Sequence, residues 1–346
     1  MELDPLQPGD PSKIGGYRLL GRLGRGGMGQ VYLGRSPGGR NVAVKLIRAP
    51  YADDAVFRRR FSREVKAAQR VGGYYTAQVI DDGSGEDPPW MVTAYVDGPS
   101  LYEAVRTAGP LPAETVQTLG ACLAEGLAAI HDCGLVHRDL KPANVILAAD
   151  GPRIIDFGIA RALDTNAMTA HGALLGTLPY MSPEQARGQI VGPASDVFSL
   201  GSVLCFAATG HGPFGGSDAS VLYRITNEQP DFTGMPESLH SLITDCLRKN
   251  PAARVTVTGL LERLAAADTS RGWPPRLIAD LIYARVPELD VPGLRDPFEP
   301  GPGHDQPTLT PLDRLQVDRG PALPASSWGT PAPAPVPAPQ ANRVRR

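Results

Sequence analysis

The chain has 346 residues, with 34 Lys+Arg against 36 Asp+Glu and a formal net charge of -2. That balance leaves no basic excess for neutralising the phosphates of a nucleic acid, which argues against a nucleic-acid partner. With 42% apolar residues it has material for sizeable cores, its length suits about two domains, and no apolar run approaches the roughly 20 residues that cross a bilayer.

Residues 1–15 are rich in Pro, Gly and Asp and read as a flexible leader, acidic rather than signal-like. Residues 16–96 then favour short strands, YRLLGRL, QVYLGR, NVAVKLI and WMVTAYV, with one helical stretch between them. Residues 97–267 carry longer helical patterns, among them TVQTLGACLAEGLAAIHDCG and SDVFSLGSVLCFAATG. A further helix is expected within 268–290, where WPPRLIADLIYARV follows a Pro pair. From 291 to 346 the chain turns Pro-rich, holding thirteen of the 35 prolines in 292–339, and is expected to be extended or disordered. Thr308, Thr310 and Thr330 are acceptor candidates there, against the plainer reading of a solvated linker. The four cysteines, Cys122, Cys133, Cys205 and Cys246, lie far apart and read as buried free thiols of a reducing cytoplasm. The expected organisation is α+β: a strand-rich lobe, a helix-rich lobe and a tail.

The first chemical motif is Gly24-Arg25-Gly26-Gly27-Met28-Gly29-Gln30-Val31. Glycines at this spacing also open dinucleotide-binding folds, but those need a helix next, and here the strand-like QVYLGR follows. Two strands joined by glycines make a flap whose backbone N–H groups can approach phosphates. Lys45 ends the apolar strand Val42-Ala43-Val44, so it is an inward-facing cation in need of a partner. Phe57, Phe61, Val65 and Ala68 share one helical face, and Glu64 lies on it too. A carboxylate on a buried stripe is costly unless paired, so a Lys45–Glu64 ion pair is predicted.

The densest stretch is His137-Arg138-Asp139-Leu140-Lys141-Pro142-Ala143-Asn144, followed by two apolar runs around Asp150-Gly151 and then Asp156-Phe157-Gly158. Asp-Gly between apolar runs signals a hairpin, whose open ends would bring Asn144 and Asp156 together. Two oxygen ligands at a strand end suit Mg²⁺, which draws its remaining ligands from water and phosphate. Asp139 stands in a loop where it can accept a proton from an incoming hydroxyl, and Lys141 can offset charge on a transferring phosphate.

Together with Ser182-Pro183-Glu184, these motifs resemble the signature set of protein kinases, in order and across roughly 15–267. The chain is similar to bacterial, eukaryotic-type Ser/Thr protein kinases of the actinobacterial kind. The resemblance implies the two-lobed kinase fold, ATP with Mg²⁺ or Mn²⁺ as cofactors, and non-specific Ser/Thr phosphorylation of protein substrates. It places Lys45 on the α/β-phosphates and against Glu64, Asn144 and Asp156 on the metal, and Asp139 as catalytic base. Leu23, Gly24, Gly26 and Gly29 would cover the nucleotide. Val31, Ala43 and Ile146 would sandwich the purine, with Thr93 as gatekeeper and backbone bonds from Ala94 and Val96. Many relatives carry Glu where Ala94 stands, a departure that backbone bonding should tolerate. Lys141 and Thr177 match Ser/Thr rather than Tyr specificity. Asp196 would anchor the catalytic loop from below, and Glu184 would pair with Arg254. Arg138 needs an anion, and an activation-loop phosphate at Thr165 or Thr169, with Thr169 favoured, would supply it. The resemblance also allows a homodimer for trans-autophosphorylation. The competing readings are a pseudokinase scaffold and a small-molecule phosphotransferase of the same fold. The first usually loses a Lys, Asp or Gly that this chain keeps, and the second lacks the glycine loop together with the SPE segment.

Overall fold

A computed structural model of the chain describes residues 3–26, 29–48, 51–156, 178–215, 220–265 and 273–283. The chain divides into two units, Met1–Val291 and Pro292–Arg346, and every described residue belongs to the first.

The first lobe is a six-stranded antiparallel sheet and one helix. Its strands are β1 (Lys13–Ile14), β2 (Tyr17–Gly26), β3 (Gly29–Arg35), β4 (Asn41–Ile47), β5 (Val79–Gly83) and β6 (Trp90–Ala94), in spatial order β1-β2-β3-β4-β6-β5. Alternation sets the two faces of the sheet. Leu19, Tyr32, Val42, Val44, Trp90 and Val92 close a small core on one side. Ile47, Val79 and Met91 pack on the other side, together with helix α1 (Ala55–Ala68). Asp54 caps α1, its carboxylate accepting from the Val56 and Phe57 amides. The helix buries Phe57, Phe61, Glu64, Val65 and Ala68, the face that its spacing predicts.

The second lobe is helical: α2 (Leu101–Ala108), α3 (Ala113–Asp132), α4 (Pro183–Ala186), α5 (Pro193–Thr209), α6 (Ser220–Asn227), α7 (Glu237–Cys246) and α8 (Val257–Ala265). Helix α5 is buried along nearly its whole length, so it reads as apolar all round and forms the axis of the lobe. The hairpin β7 (Val145–Ala148) and β8 (Gly151–Ile154) is antiparallel, with Ala148 paired to Gly151. Its turn is therefore Ala149-Asp150, one residue earlier than the Asp-Gly signal suggests. Helix α9 (Arg276–Tyr283) forms within the expected extension, and Trp273 before it donates its indole N–H to the Ala148 carbonyl at 2.7 Å. Among the described residues no helix is long and apolar enough to cross a membrane.

Two expectations need correction, and one strand was not expected. The leader is not loose: residues 3–14 lie along the free edge of β2, with Asp4 bridged to Arg22 and Lys13 paired to Arg18. Strand β5 has no clear signal, because VIDDG alternates poorly and is half polar. All four cysteines are free, but only Cys205 and Cys246 are buried; Cys122 and Cys133 are half-buried. The Pro-rich tail, with Thr308, Thr310 and Thr330, lies outside the described residues.

Candidate active site

The glycine motif joins β2 to β3. Gly24 pairs with Val31 and Gly26 with Gly29, while a register shift between Arg22 and Gly24 lets Leu23 bulge inward, where it is buried. Gly24 and Gly26 are exposed and a Cβ on either would meet nothing within 4 Å, so the strand edge here is open to a ligand. Gln30, buried directly after the last glycine of the motif, donates to the Gly24 carbonyl at 2.7 Å and accepts from Arg48 at 2.9 Å. The sequence offered no cue to that role beyond its position.

Beneath this flap, Val31 and Ala43 are half-buried on β3 and β4, and Ile146 is buried on β7. Val31 is paired with Lys45, and Ala43 with Thr93. Thr93 and Ala94 end β6, and Val96 follows in the connection to the second lobe. The Ala94 N–H donates to the Gln78 carbonyl at 2.9 Å, so that group is already engaged within the protein.

Lys45 reaches across the lobes. Its Nζ lies 2.8 Å from Asp156 Oδ1, and it makes no ion pair with Glu64. Glu64 turns instead to Arg138, at 3.6 Å. The predicted Lys45–Glu64 pair is thus replaced by two crossed pairs. Helical periodicity placed Glu64 on the buried face correctly, but it cannot say which of two cations the face will meet. Burial pushes the Glu64 carboxyl above its ordinary value, with Arg138, Arg63 and Arg60 pulling the other way. Burial also works against Asp156, but the Lys45 ammonium, aided by Lys141, outweighs it and holds that carboxyl below its ordinary range.

The loop before β7 is held by several independent bonds. Asp196 on α5 is fully buried and accepts from the His137 amide at 2.8 Å, the Arg138 amide at 2.9 Å and the His131 ring at 2.7 Å. This is the anchoring expected of it. The Arg138 carbonyl accepts from Gln185 Nε2 at 2.8 Å. Held from both sides, Arg138 sits at φ 64, and Asp156 sits at φ 56; both are left-handed conformations rare outside glycine. Asp139 then faces Lys141, 3.2 Å away, while Asn144 Nδ2 donates to the Asp139 carbonyl at 2.8 Å and approaches its carboxylate at 3.3 Å. The Ile155 amide donates to the Asn144 carbonyl at 2.9 Å, which brings Asn144 alongside the residue preceding Asp156, as the hairpin argument requires. Below the site, Glu184 and Arg254 form the expected pair at 2.6 Å.

His137 carries a role that sequence reasoning missed. Its Nδ1 accepts the Asp139 amide at 3.2 Å, so its Nε2 holds the proton and donates to the Ile155 carbonyl, also at 3.2 Å. One neutral ring therefore ties the Asp139 loop to the Asp156 segment. Full burial lowers its pKa below the ordinary 6.5, against the pull of Asp196 and Asp139. The unfolded chain then takes up a proton more readily than the folded one. The contribution is complete above pH 6.5 and is lost as pH falls below it, with a slope of up to about 1.4 kcal/mol per pH unit. Urea midpoints measured from pH 7 to 5 should fall in the parent and fall less in His137→Gln.

Phe157, Gly158, Thr165, Thr169 and Thr177 lie outside the described residues. Among the described residues no group of three or more His, Cys, Asp or Glu is placed to hold a metal. A cation here would therefore rest on Asn144 and Asp156 and complete its shell from a ligand and water. That donor set, a carboxylate and an amide oxygen beside a groove, fits Mg²⁺ chemistry.

Comparison with known proteins agrees with this geometry. Residues 17–264 match the model of the protein kinase domain family. The chain is 57% identical over 286 residues to the probable serine/threonine-protein kinase PkwA of Thermomonospora curvata, covering 82% of this chain and 38% of that protein. It is 47% identical over 294 residues to the serine/threonine-protein kinase AfsK of Streptomyces coelicolor, covering 82% of this chain and 37% of that protein. It thus spans well under half the length of these relatives. Among solved structures it resembles the PknI kinase domain of Mycobacterium tuberculosis, with a TM-score of 0.58 at 28% identity, over 73% of this chain and 96% of that one.

Proposed function

The chain belongs to the protein kinase family, and on that premise we propose that it transfers the γ-phosphate of ATP to Ser and Thr hydroxyls of proteins, autophosphorylation included. The observation that carries this reading is the convergence of Lys45, Asp139, Lys141, Asn144 and Asp156 at one cleft from three separate segments. Adenine would lie between Val31, Ala43 and Ile146, against Thr93, with the Ala94 carbonyl and the Val96 amide as its backbone partners. The flap carrying Leu23, Gly24, Gly26 and Gly29 would cover the phosphates. Mg²⁺, held by Asn144 and Asp156 with phosphate oxygens, would neutralise charge on the phosphate chain; Mn²⁺ has compatible chemistry.

Asp139 would orient the acceptor hydroxyl and take its proton, within reach of a substrate that enters the open cleft. Lys141, 3.2 Å from that carboxylate, would steady the transferring phosphoryl group. Thr177 joins the catalytic set in this reading on the family resemblance alone. The preference for Ser and Thr rests on Lys141 and Thr177 and on the relatives, which are named serine/threonine-protein kinases. Protein substrates, a homodimer for trans-autophosphorylation and a cytoplasmic location, where ATP is available, belong to the same reading.

Regulation follows from the crossed pairs. Glu64 holds Arg138 at 3.6 Å, a distance that leaves the guanidinium contestable. A phosphothreonine at 169, or at 165, brings nearly two negative charges and three acceptor oxygens, and would displace Glu64 from Arg138. Glu64 would then be free to turn to Lys45. Intact mass of the full chain after incubation with Mg-ATP tests the whole reading. Added phosphates that fragment to the 157–177 loop are expected. Active protein with that loop unmodified would remove Thr165 and Thr169 from the account, and failure to bind ATP would remove the site.

A further inference from the structure

Residues 3–12 precede the segment that matches the kinase family, and they are not a loose end. The backbone of Asp4 exchanges two hydrogen bonds with Arg22, Asp4 N–H to Arg22 O at 3.0 Å and Arg22 N–H to Asp4 O at 2.7 Å. A Cβ on Gly21 would stand 2.7 Å from the Asp4 carbonyl oxygen, so glycine there permits the close approach. Leu6 packs on the outer core of the sheet.

Asp10 closes the arrangement. Its carboxylate takes both arms of the Arg22 guanidinium, Nε at 2.6 Å and Nη2 at 2.7 Å, the bidentate geometry that is strongest for this pair. The same carboxylate accepts from the Tyr32 hydroxyl and from the Gln7 amide, each at 2.8 Å. Its side chain is only 6% exposed. Arg22 and Tyr32 are directly opposite one another on β2 and β3. Asp10 therefore clamps the last cross-strand pair before the bulge that leads into the glycine flap. Gln30 holds the far side of that bulge through Gly24. At the glycine end β2 is backed by β3 alone, whereas β3 is paired with β4 along its length; the strap fastens β2 from its other edge.

We propose that residues 3–12 are a strap that sets the stiffness of the phosphate-covering flap, with Asp10 as its positioning residue, so that the strap determines affinity for the phosphate part of the nucleotide. This rests on the kinase reading above. Asp10 touches no substrate; it acts through Arg22 and Tyr32. If the strap is lost, the flap samples conformations that do not bind phosphate, and apparent affinity falls by the fraction of competent molecules.

The test uses the full chain and three variants: deletion of residues 2–11, Asp10→Ala, and the milder Asp10→Asn. Binding of Mg-ATP and of adenosine is measured by calorimetry, beside KM and kcat for ATP. The expected result is a loss of about tenfold in Mg-ATP affinity for Asp10→Ala, as when roughly a tenth of the flap stays competent, with adenosine affinity and kcat kept and Asp10→Asn in between. Amide exchange should quicken in 19–34 and not in α5. Equal weakening of ATP and adenosine would mean general destabilisation and would overturn the proposal, as would unchanged ATP affinity in all three variants. A parent that binds adenosine but gains nothing from the phosphates of Mg-ATP would instead overturn the kinase reading, and the strap with it.

Discussion

Asp139→Asn should reduce phosphoryl transfer by about 10²- to 10⁴-fold, the range that a positioned general base contributes. The substitution preserves shape, so Lys141 and Asn144 keep a neighbour of the same size. What disappears is a carboxylate able to take the hydroxyl proton. Mg-ATP affinity should hold, because Lys45 and Asp156 sit on the other side of the cleft, bonded to each other at 2.8 Å. Thermal stability should hold as well, since the loop is anchored through the His137 and Arg138 amides on Asp196 and not through the Asp139 side chain. Time-resolved intact mass with saturating Mg-ATP measures the rate, and nucleotide titration measures binding. Loss of both together would make Asp139 a structural residue. A rate within threefold of the parent would remove it as the base.

Arg254→Ala should cost about 3–5 kcal/mol of folding stability, the penalty for leaving a buried charge without its partner. Arg254 has no exposed side-chain surface and Glu184 is 4% exposed. The guanidinium donates twice to Glu184, at 2.6 and 2.7 Å, and also to the carbonyls of Ala194 at 2.7 Å and Arg248 at 2.8 Å. Its face rests on the Phe198 ring, 5.0 Å away. Removing it leaves Glu184 with Ser195 but no cation, and takes a donor from three carbonyls at once, that of Lys249 at 3.1 Å included. Against a total near 5–15 kcal/mol, this is a large share. A thermal midpoint about 10 °C lower is expected at this chain length. Burial pushes the Glu184 carboxyl up, but Arg254 and Ser195 outweigh it and hold the value below the ordinary 4.5. In the parent the contribution is therefore present above pH 4.5 and lost as pH falls through the lowered value. Glu184→Gln combined with Arg254→Met should regain part of the stability, because neither group is then charged. Circular-dichroism melts of the three proteins decide it; a single-variant cost below 1 kcal/mol would show the pair to be solvated.

The parts whose cause is local can be read along the chain. The β2–β3 flap was legible because a strand pattern follows the glycines directly. The β7–β8 hairpin was legible from its turn residues, and with it the meeting of Asn144 and the Asp156 segment. The buried face of α1, Glu64 included, followed from a period of 3.6 residues. Asp196 and Glu184 with Arg254 came from the family resemblance, and the fold explains them as buried charges that need partners.

Which side chains pair across elements is set by how the elements pack. Lys45 has Glu64 on one helix and Asp156 on a distant loop, nineteen and 111 positions away, and the placement of α1 against the sheet gives it Asp156 at 2.8 Å. Arg138 accordingly holds Glu64 in place of a phosphate. The strap is the same case: Asp10 looks like one more acidic residue of a Pro- and Gly-rich leader, and its partners stand 12 and 22 positions further on. Periodicity and turn chemistry report what a segment does with its own neighbours. An ion pair depends on where two segments are brought by packing, and that information exists only once the lobes have closed around their cores.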